Sequence, residues 1–322
     1  MTTITRPLGN SDITVRPLCL GGNVFGWTID EPASFRILDA FAAAGFDFID
    51  TADMYSKWKP GNTGGESETI LGNWMKSRNN RNKIILATKV GMEMPAESSG
   101  GAGKGLSKKW ILHEVEASLA RLQTDYIDLY QSHQDDPATP LEETLDAFAQ
   151  LVKQGKVRLI GASNFSAERL AESLKVSTKH GYPRYETLQP HFNLVERKEF
   201  ESTLRPVCAS HNIGVIPYFS LASGFLTGKY RTEADLAKSP RGQGIKKYLN
   251  PRGLRVLAAL DEVAKRHKAT PAQVALAWLI AQPTITAPIA SATTLKQLED
   301  LLASTRLQLD EQSITQLNAA SA

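Results

Sequence analysis

Four side chains capable of proton transfer stand at or just beyond the ends of three consecutive apolar runs of the sequence. Asp50 and Tyr55 follow the first run, Lys89 follows the second and His133 follows the third. An ammonium within hydrogen-bond reach of a tyrosine stabilises the phenolate and lowers its pKa from the ordinary value of about 10. With Asp50 holding Lys89 charged and in place, Tyr55 is predicted to act as a general acid near neutral pH.

This combination suits the protonation of an oxygen that gains negative charge, as when a hydride adds to a carbonyl group. His133 would donate to that oxygen or orient it. A Schiff base on Lys89 is an open alternative, although lysines in that role are desolvated and lack a neighbouring carboxylate. Metal-dependent hydrolysis has little support, because the sequence holds no H-x-H or H-E-x-x-H pattern. We therefore predict no metal site.

The elements that would position these residues alternate between short apolar runs and amphipathic helical patterns. Such alternation is typical of a parallel sheet, and eight units of about 40 residues each suit the crossovers between parallel strands. The eight predicted strands are residues 16–20, 46–49, 83–87, 126–130, 157–161, 185–188, 214–216 and 284–287.

Eight units favour closure of the sheet into a barrel, and an open doubly wound sheet is the rival arrangement. A dinucleotide-binding sheet of the open kind carries G-x-G-x-x-G directly after a strand, and the sequence lacks this pattern. We therefore predict an α/β fold, a (β/α)8 TIM barrel that forms one domain over residues 1–322. Residues 3–15 are predicted as an additional N-terminal β-hairpin, and an insertion is expected after strand 7.

Two predicted helices begin with the same sequence signature. Residues 139–142 (TPLE) and 270–273 (TPAQ) each match a capping box. In this motif the threonine hydroxyl accepts a free N–H of the first turn, and the later side chain reaches back to the cap. Proline after the threonine suits the first helical position, so both threonines are predicted N-caps.

Composition narrows the class of protein. The 322 residues are 42% hydrophobic and 22% charged, which is typical of a globular chain. The longest apolar stretch, residues 274–281, is far shorter than the roughly 20 residues of a membrane span. No apolar signal core follows Met1, and two cysteines, Cys19 and Cys208, are too few for a disulfide framework. A net charge of +3 is too balanced for a nucleic-acid binder, so we predict a cytoplasmic protein with no membrane or nucleic-acid partner.

One segment departs from this balance of charge. Residues 229–247 hold six basic and two acidic side chains. Such a charge run is commonly a solvated loop. The alternative is a loop that contacts a phosphate-bearing ligand.

Six short motifs, in order and with consistent spacing, resemble those of the aldo-keto reductase superfamily. Residues 48–55 (FIDTADMY), 88–91 (TKVG) and 129–133 (LYQSH) resemble its Asp–Tyr, lysine and histidine motifs. Residues 161–165 (GASNF) and 189–193 (QPHFN) are similar to its nicotinamide-holding strands, and residues 218–230 (YFSLASGFLTGKY) to its strand 7 cofactor loop. The resemblance runs from the first hairpin to about Leu301. The branch most similar to this chain contains bacterial aldo/keto reductases and potassium-channel β subunits.

This resemblance implies the residues around the reacting groups. The catalytic tetrad would be Asp50, Tyr55, Lys89 and His133. Polar groups at strand ends would bind the nicotinamide carboxamide, namely those of Ser163, Asn164 and Gln189. The aromatic ring of Tyr218 would stack on the nicotinamide.

The resemblance also implies how the cofactor phosphates would be held. Backbone amides in the loop after strand 7 would contact the pyrophosphate, namely those of Ser220, Leu221, Ser223 and Gly224. Lys229 and Arg241 of the basic segment would clamp phosphates. Many family members carry Lys or Arg near positions 291–297 for the adenosine 2′-phosphate, whereas this chain has Ser291, Thr293 and Gln297, followed by Asp300. Because Ser, Thr and Gln can still donate to a phosphate, NADP(H) is favoured over NAD(H).

The predicted function is NADPH-dependent reduction of aldehyde or ketone carbonyls to alcohols, with the hydride from nicotinamide and the proton from Tyr55. Trp27 and Trp58 would line an apolar pocket for a small-molecule carbonyl substrate. One alternative is a cofactor-binding regulatory module of the channel β-subunit type with little turnover. Another is a metal- or lysine-dependent lyase on the same barrel.

Overall fold

A computed structural model of the chain describes residues 4–101, 103–238 and 242–322. Its strands are β1 (Arg6–Pro7), β2 (Thr14–Val15), β3 (Cys19–Gly21), β4 (Phe48–Asp50), β5 (Ile85–Val90), β6 (Ile127–Ser132), β7 (Val157–Ser163), β8 (Tyr185–Gln189), β9 (Gly214–Val215) and β10 (Ile289–Ala290). Its α-helices are α1 (Glu31–Ala43), α2 (Glu66–Arg78), α3 (Ala96–Ser99), α4 (Lys108–Leu122), α5 (Leu141–Lys153), α6 (Ala167–His180), α7 (Arg205–Ser210), α8 (Pro251–His267), α9 (Pro271–Ala281), α10 (Leu295–Ser304) and α11 (Glu311–Ser321). A π-helical turn, Phe200–Leu204, runs into α7. The insertion predicted after the seventh barrel strand follows β9 and holds the 3₁₀ segments Ala222–Thr227, Glu233–Lys238 and Gly242–Tyr248.

Strands β3 to β10 form one parallel sheet in the order β10-β3-β4-β5-β6-β7-β8-β9. Each strand pairs with the strand of the next unit, so that Lys89 of β5, for example, stands opposite Gln131 of β6. The two outermost strands approach each other through a parallel bridge between Val215 and Ile285. The sheet therefore curls on itself with helices around it, which confirms the predicted (β/α)8 barrel.

Six barrel strands, β3 to β8, extend one to three residues past their predicted ends. The predictions stop where the apolar run stops, whereas the backbone pairing continues through the polar residues that follow. These polar residues, which end up inside the strands β5, β6, β7 and β8, include Lys89, Gln131, Ser163 and Gln189.

The eighth barrel strand begins later than predicted. The apolar pattern predicts residues 284–287, whereas the paired strand is β10, which begins at Ile289. The predicted segment instead makes the single bridge at Ile285, and Pro288, which has no N–H to donate, separates it from β10. Both stretches are apolar, so periodicity does not distinguish them. Pairing with β3 determines which stretch forms the strand, since the Cys19 amide of β3 donates to the Pro288 carbonyl at 3.0 Å.

The predicted N-terminal hairpin closes one end of the barrel. Strands β1 and β2 pair antiparallel, and Gly9 in their turn has a φ of 61°. Thr3, the first residue of the predicted hairpin, lies outside the described residues. Leu8 and Ile13 are buried in the apolar cluster inside the barrel, and Gly9 approaches Gly214 at the start of β9. The hairpin thus covers the amino-terminal ends of the strands and leaves the carboxyl-terminal ends open.

One of the two predicted capping boxes is confirmed. Thr270 Oγ1 accepts from the Gln273 amide at 3.3 Å, and Gln273 Oε1 accepts from the Thr270 amide at 3.2 Å. The box predicted at residues 139–142 is wrong, because α5 begins after Pro140 and Thr139 Oγ1 donates to Asp136 Oδ2 at 2.7 Å instead. A hydrogen bond to a charged carboxylate is stronger than one between neutral groups, so this acceptor outside the motif takes the hydroxyl.

The helices cover the outside of the barrel with a second, larger apolar cluster. Trp74, Phe148 and Trp278 are fully buried in it. Helix α11 packs against α8, and the Trp278 indole N–H of α9 donates to Asn318 Oδ1 of α11 at 3.0 Å. Among the described helices, none combines the length and apolar character needed for a membrane span.

Candidate active site

The predicted tetrad members Asp50 and Lys89 form an ion pair inside the barrel. Lys89 Nζ lies 2.7 Å from Asp50 Oδ2, and both side chains are almost completely buried. The same nitrogen donates to the Thr51 carbonyl at 2.7 Å and to the Tyr55 hydroxyl oxygen at 2.9 Å. An ammonium has three N–H donors. All three are therefore used, and the phenol oxygen of Tyr55 receives one of them.

Helices behind β5 hold Lys89 in place. Side chains alternate between the two faces of a strand, so the neighbouring Thr88 faces the helices. Thr88 Oγ1 donates to Glu68 Oε1 of α2 at 2.5 Å. Glu68 is in turn paired with Arg121 Nε of α4 at 2.7 Å, with the carboxylate fully buried. These polar contacts fix β5 against α2 and α4.

The pKa of Tyr55 moves in the direction opposite to that expected from the sequence. Burial of the phenol and the neighbouring Asp50 carboxylate raise the pKa of Tyr55 well above its ordinary value. The Lys89 ammonium beside the hydroxyl favours the phenolate, but burial and the Asp50 carboxylate, which is itself paired with Lys89 at 2.7 Å, set the net direction. Tyr55 therefore keeps its proton throughout the neutral range.

Two buried amides complete the surroundings of Asp50. Gln189 Nε2 donates to Asp50 Oδ1 at 2.9 Å, and Gln131 Nε2 donates to the same oxygen at 3.2 Å. Gln189 Nε2 also donates to Gln131 Oε1 at 3.3 Å. One carboxylate oxygen thus faces the amides and the other faces Lys89, which holds Asp50 in a single orientation. Since both N–H groups of Gln189 are used, only its Oε1 remains to bind a ligand.

Gln131 is a residue of this site that the sequence analysis did not single out. Its signal was present, because glutamine is rarely buried and this one lies within an otherwise largely apolar run. It is completely buried. The buried amide is explained by its contacts with Asp50 and Gln189, which are both remote from it in sequence.

We expect Gln131→Met to lower the free energy of unfolding by about 1.5–3 kcal/mol, the usual contribution of a hydrogen bond to a charged group. Methionine keeps the length of the side chain but cannot donate to Asp50. Urea denaturation followed by tryptophan fluorescence measures the change. The matched control is Gln154→Met on the exposed end of α5, expected to change stability by less than about 0.5 kcal/mol. Equal stability of the two variants would contradict the prediction.

His133 lies just beyond β6, and its ring centroid is 6.0 Å from that of Tyr55. Burial and the Lys89 ammonium lower the pKa of His133 well below its ordinary 6.5, so the ring is neutral at physiological pH. Its Nδ1 is buried without a hydrogen-bond partner in the described part of the chain. A neutral imidazole and a neutral phenol, each carrying one proton to donate, therefore border the same space.

Asn164 joins the ends of several strands beside this space. Its φ of 55° is left-handed. Its Nδ2 donates to the His133 carbonyl at 2.9 Å and to Ser163 Oγ at 3.1 Å, while its Oδ1 accepts from the Tyr218 hydroxyl at 2.9 Å. Ser163 Oγ also donates to the Gln189 carbonyl at 2.9 Å. The structure thus brings together the four residues predicted to contact nicotinamide.

The loop after β9 contains a run of left-handed residues. Phe219, Ala222, Ser223 and Gly224 have φ values of 51°, 48°, 56° and 98°. For residues other than glycine this conformation costs about 1–3 kcal/mol each and concentrates at ligand sites. The amides of Ala222 and Gly224 donate within the loop, at 2.7 Å and 2.9 Å. Among the backbone amides predicted to contact pyrophosphate, that of Gly224 is therefore already used within the loop. The amides of Ser220, Leu221 and Ser223 remain candidates.

Most described cations of the basic segment 229–247 are paired with carboxylates. The four ion pairs are Arg231–Asp261, Lys238–Asp235, Lys246–Glu233 and Lys247–Glu196. The interpretation of the segment as a solvated loop, one of the two alternatives, fits these side chains. Lys229 of the same segment lies beside the left-handed loop. A methyl group placed on Gly224 would be 3.5 Å from Lys229 Nζ. Arg241, the other predicted phosphate ligand, lies outside the described residues.

The predicted polar residues after β10 all form hydrogen bonds within the protein. The amide and the hydroxyl of Thr293 both donate to Gln297 Oε1, at 2.8 Å and 3.0 Å. This fixes the oxygen of the Gln297 amide toward the protein and leaves its Nε2 as a donor. Ser291 Oγ donates to Asn23 Oδ1 at 2.6 Å. Asp300 Oδ1 accepts a hydrogen bond at 2.8 Å from the glutamine of the α9 capping box, which ties it to α9.

Trp27 and Trp58 form an aromatic wall beside Tyr55. Their rings meet edge to face at 5.3 Å, and Trp58 lies 6.0 Å from the Tyr55 ring. Ser56, with a left-handed φ of 74°, donates to the Phe25 carbonyl at 2.6 Å. This hydrogen bond ties the Tyr55 loop to the loop that carries Trp27. Trp58 is 43% exposed, so the wall faces solvent on one side.

Comparison with known proteins supports a single family. The model of the aldo/keto reductase family matches residues 17–322. The chain is 36% identical over 315 residues to the uncharacterized oxidoreductase YrpG of Bacillus subtilis, covering 97% of this chain and 94% of that protein. It is 36% identical over 268 residues to aldo-keto reductase YhdN of the same organism, covering 82% and 76%. It is also 33% identical to norsolorinic acid reductase stcV of Emericella nidulans, covering 95% of this chain and 78% of that protein.

Proposed function

The chain belongs to the aldo/keto reductase family, and from that premise we propose that it reversibly reduces aldehyde or ketone groups to alcohols with NADPH. Relatives named as an oxidoreductase and a reductase support this class of reaction. The observation that carries the proposal is the buried Lys89 ammonium, which contacts both Asp50 Oδ2 at 2.7 Å and the Tyr55 hydroxyl at 2.9 Å.

The proposed proton transfer follows from these contacts. When bound, the reduced nicotinamide supplies a hydride to the carbonyl carbon. Tyr55 gives its proton to the carbonyl oxygen as that oxygen becomes negative, and Lys89 stabilises the phenolate that remains. His133 stays neutral and donates an N–H to the same oxygen. Asp50 keeps the ammonium in position without itself exchanging a proton.

Several features of the described residues suit a dinucleotide. Asn164 and Ser163 hold the Tyr218 ring beside the tetrad, where it would stack on nicotinamide. The left-handed loop at residues 219–224 has the type of backbone conformation whose amides bind pyrophosphate. The Gln297 Nε2 donor, together with Lys229, supports a preference for NADP(H) over NAD(H).

The proposed substrate is a small carbonyl compound that rests on the aromatic wall of Trp27 and Trp58. Stacking and edge contacts with indole rings favour flat apolar substituents on the carbonyl group. Cys19 and Cys208 are free and buried, which suits the cytoplasmic location predicted from the sequence.

We expect the purified protein to oxidise NADPH in the presence of aldehydes and to bind NADPH more tightly than NADH. Five tryptophans report binding through fluorescence, and the loss of absorbance at the reduced-nicotinamide band reports turnover. A panel of aromatic and aliphatic aldehydes at equal concentrations gives the substrate range. Binding of NADPH without turnover on any member of the panel would favour a regulatory module. Equal affinity for the two cofactors would contradict only the preference for NADP(H), and no binding of either would contradict the proposed function.

A further inference from the structure

His191 lies against the ring proposed to stack on nicotinamide. It follows β8 and forms a parallel bridge with Tyr218, whose amide donates to the Pro190 carbonyl at 3.0 Å. The two rings are nearly parallel, at 16°, with centroids 5.3 Å apart. This is offset stacking. Because an aromatic ring has only two faces, a ligand ring can stack on Tyr218 only on the face that His191 does not cover.

Phe219 holds this pair of rings from the side. Its ring meets Tyr218 at 5.2 Å and 68°, and meets His191 at 5.5 Å and 72°. Asn193 Nδ2 donates to the Phe219 carbonyl at 2.9 Å and lies 3.5 Å from His191 Nε2. The imidazole is therefore a fixed part of the stack rather than a mobile surface side chain.

The surroundings of His191 contain charged groups of both signs. It lines a cavity of about 380 Å³ whose charged residues are Glu196, Arg197, Lys198, Glu199 and Arg252. Glu196 is itself paired with Lys247 at 3.1 Å and accepts from the Tyr248 hydroxyl at 3.0 Å. Partial burial and Lys247 lower the pKa of His191, and Glu196 and Glu199 oppose that shift, with a net direction below the ordinary 6.5. His191 is thus neutral at pH 7 and gains its charge as the pH falls below about 6.5.

We propose that His191 is a positioning residue that backs the Tyr218 ring and, once protonated, weakens the binding of oxidised nicotinamide relative to reduced nicotinamide. The inference rests on the proposed function, since it requires nicotinamide to stack on Tyr218. An oxidised nicotinamide ring carries a positive charge and a reduced one is neutral. A cationic imidazole on the far side of the tyrosine repels only the oxidised form.

The size of the effect follows from the geometry of the stack. The imidazole and the nicotinamide would be separated by two ring spacings, roughly 9 Å. Two unit charges at that distance in a partly solvated site repel each other enough to change affinity about fivefold. By linkage, oxidised cofactor also makes His191 harder to protonate by the same factor.

The test measures the ratio of two dissociation constants against pH. Tryptophan fluorescence gives Kd for NADP⁺ and for its 1,4,5,6-tetrahydro derivative, a neutral and acid-stable analogue of the reduced form. The 2′-phosphate also titrates in this pH range, but it is common to both ligands and cancels in the ratio. As the pH falls from 8 to the lowest value at which the protein stays folded, we expect Kd for NADP⁺ divided by Kd for the analogue to rise in the wild-type protein toward a limit of about fivefold.

Two variants separate charge from stacking. His191→Phe keeps a ring behind Tyr218 but cannot be protonated, so its ratio should stay constant across the pH range, with both affinities near those of the wild type at pH 8. His191→Leu removes the ring, and both ligands should bind more weakly at every pH. His133, the other histidine near the site, is unchanged in both variants, so its contribution is common to all three proteins.

Three results would overturn the inference. The first is a wild-type ratio that does not change with pH, and the second is the same change in His191→Phe. If His191→Phe does not fold, as judged by circular dichroism, His191→Gln supplies the uncharged comparison. The third result, no binding of either ligand at any pH, would overturn the proposed function and this inference with it. Tight binding with a constant ratio would overturn the inference alone.

Discussion

Replacing Tyr55 with phenylalanine should lower the rate of carbonyl reduction by about 10²- to 10⁴-fold, the usual contribution of a positioned general acid. The variant keeps the aromatic ring that packs against Trp58 and His133 and loses only the proton donor. Cofactor affinity should stay near the wild-type value, because the phenol hydroxyl is bonded to Lys89 and Asp50 and not to the residues proposed to hold nicotinamide. Steady-state kinetics with NADPH and an active aldehyde measure the first effect, and fluorescence titration measures the second.

The pH profile of the wild-type enzyme also tests the role of Tyr55 as the general acid. A general acid works while it is protonated. Because burial and Asp50 raise the pKa of Tyr55, reduction should not slow on account of this group until the pH exceeds about 10. Trp58→Phe alters the aromatic wall and leaves the donor in place, so it should keep this pH dependence even where its rate differs. Full activity of Tyr55→Phe would show that another group supplies the proton.

Lys89→Met should be the most destabilising single change in the site, lowering the free energy of unfolding by about 3–5 kcal/mol. It removes the partner, 2.7 Å away, of the almost completely buried Asp50 carboxylate. Activity should also fall, since no ammonium remains to stabilise the Tyr55 phenolate. Urea denaturation and the aldehyde assay measure the two effects.

A double variant distinguishes the stability role of the pair from its chemical role. Asp50→Asn combined with Lys89→Met removes both charges, so most of the lost stability should return while activity stays low. Lys108→Met is the surface control, because its ion pair with Asp146 is only partly buried and should contribute less than about 1 kcal/mol. A double variant no more stable than Lys89→Met would contradict the account of an unpaired buried charge.

Much of the fold could be predicted because its signals are local. Alternation of apolar runs and amphipathic helices depends on neighbouring residues, and it indicated the eight barrel units. The failures were at boundaries. The eighth strand was misplaced because Ile285 and Ile289 lie in equally apolar stretches, and only pairing with β3 chooses between them. The cap at Thr139 failed because Asp136, outside the motif, binds its hydroxyl.

The basic segment shows the same dependence on partners remote in sequence. Its charge count is a property of the sequence, but the effect of each charge is not. Arg231 is paired with Asp261 and Lys247 with Glu196, and neither acid lies within the segment. The positive charge of this segment is therefore largely compensated by carboxylates in the folded protein. Lys229 is the described lysine of the segment that lies beside the proposed cofactor loop.

By itself, the sequence determined which chemical groups this protein places at the ends of its strands, because parallel strands deliver their carboxyl ends to one rim of a barrel. Asp50, Tyr55, Lys89 and His133 could be named on that ground. Only the tertiary structure decided how these groups are protonated and held. The pKa of Tyr55 rises, and the Gln131 amide turns toward Asp50. Electrostatic fields and hydrogen bonds sum over neighbours that are distant along the chain, and the folded barrel is what makes them neighbours.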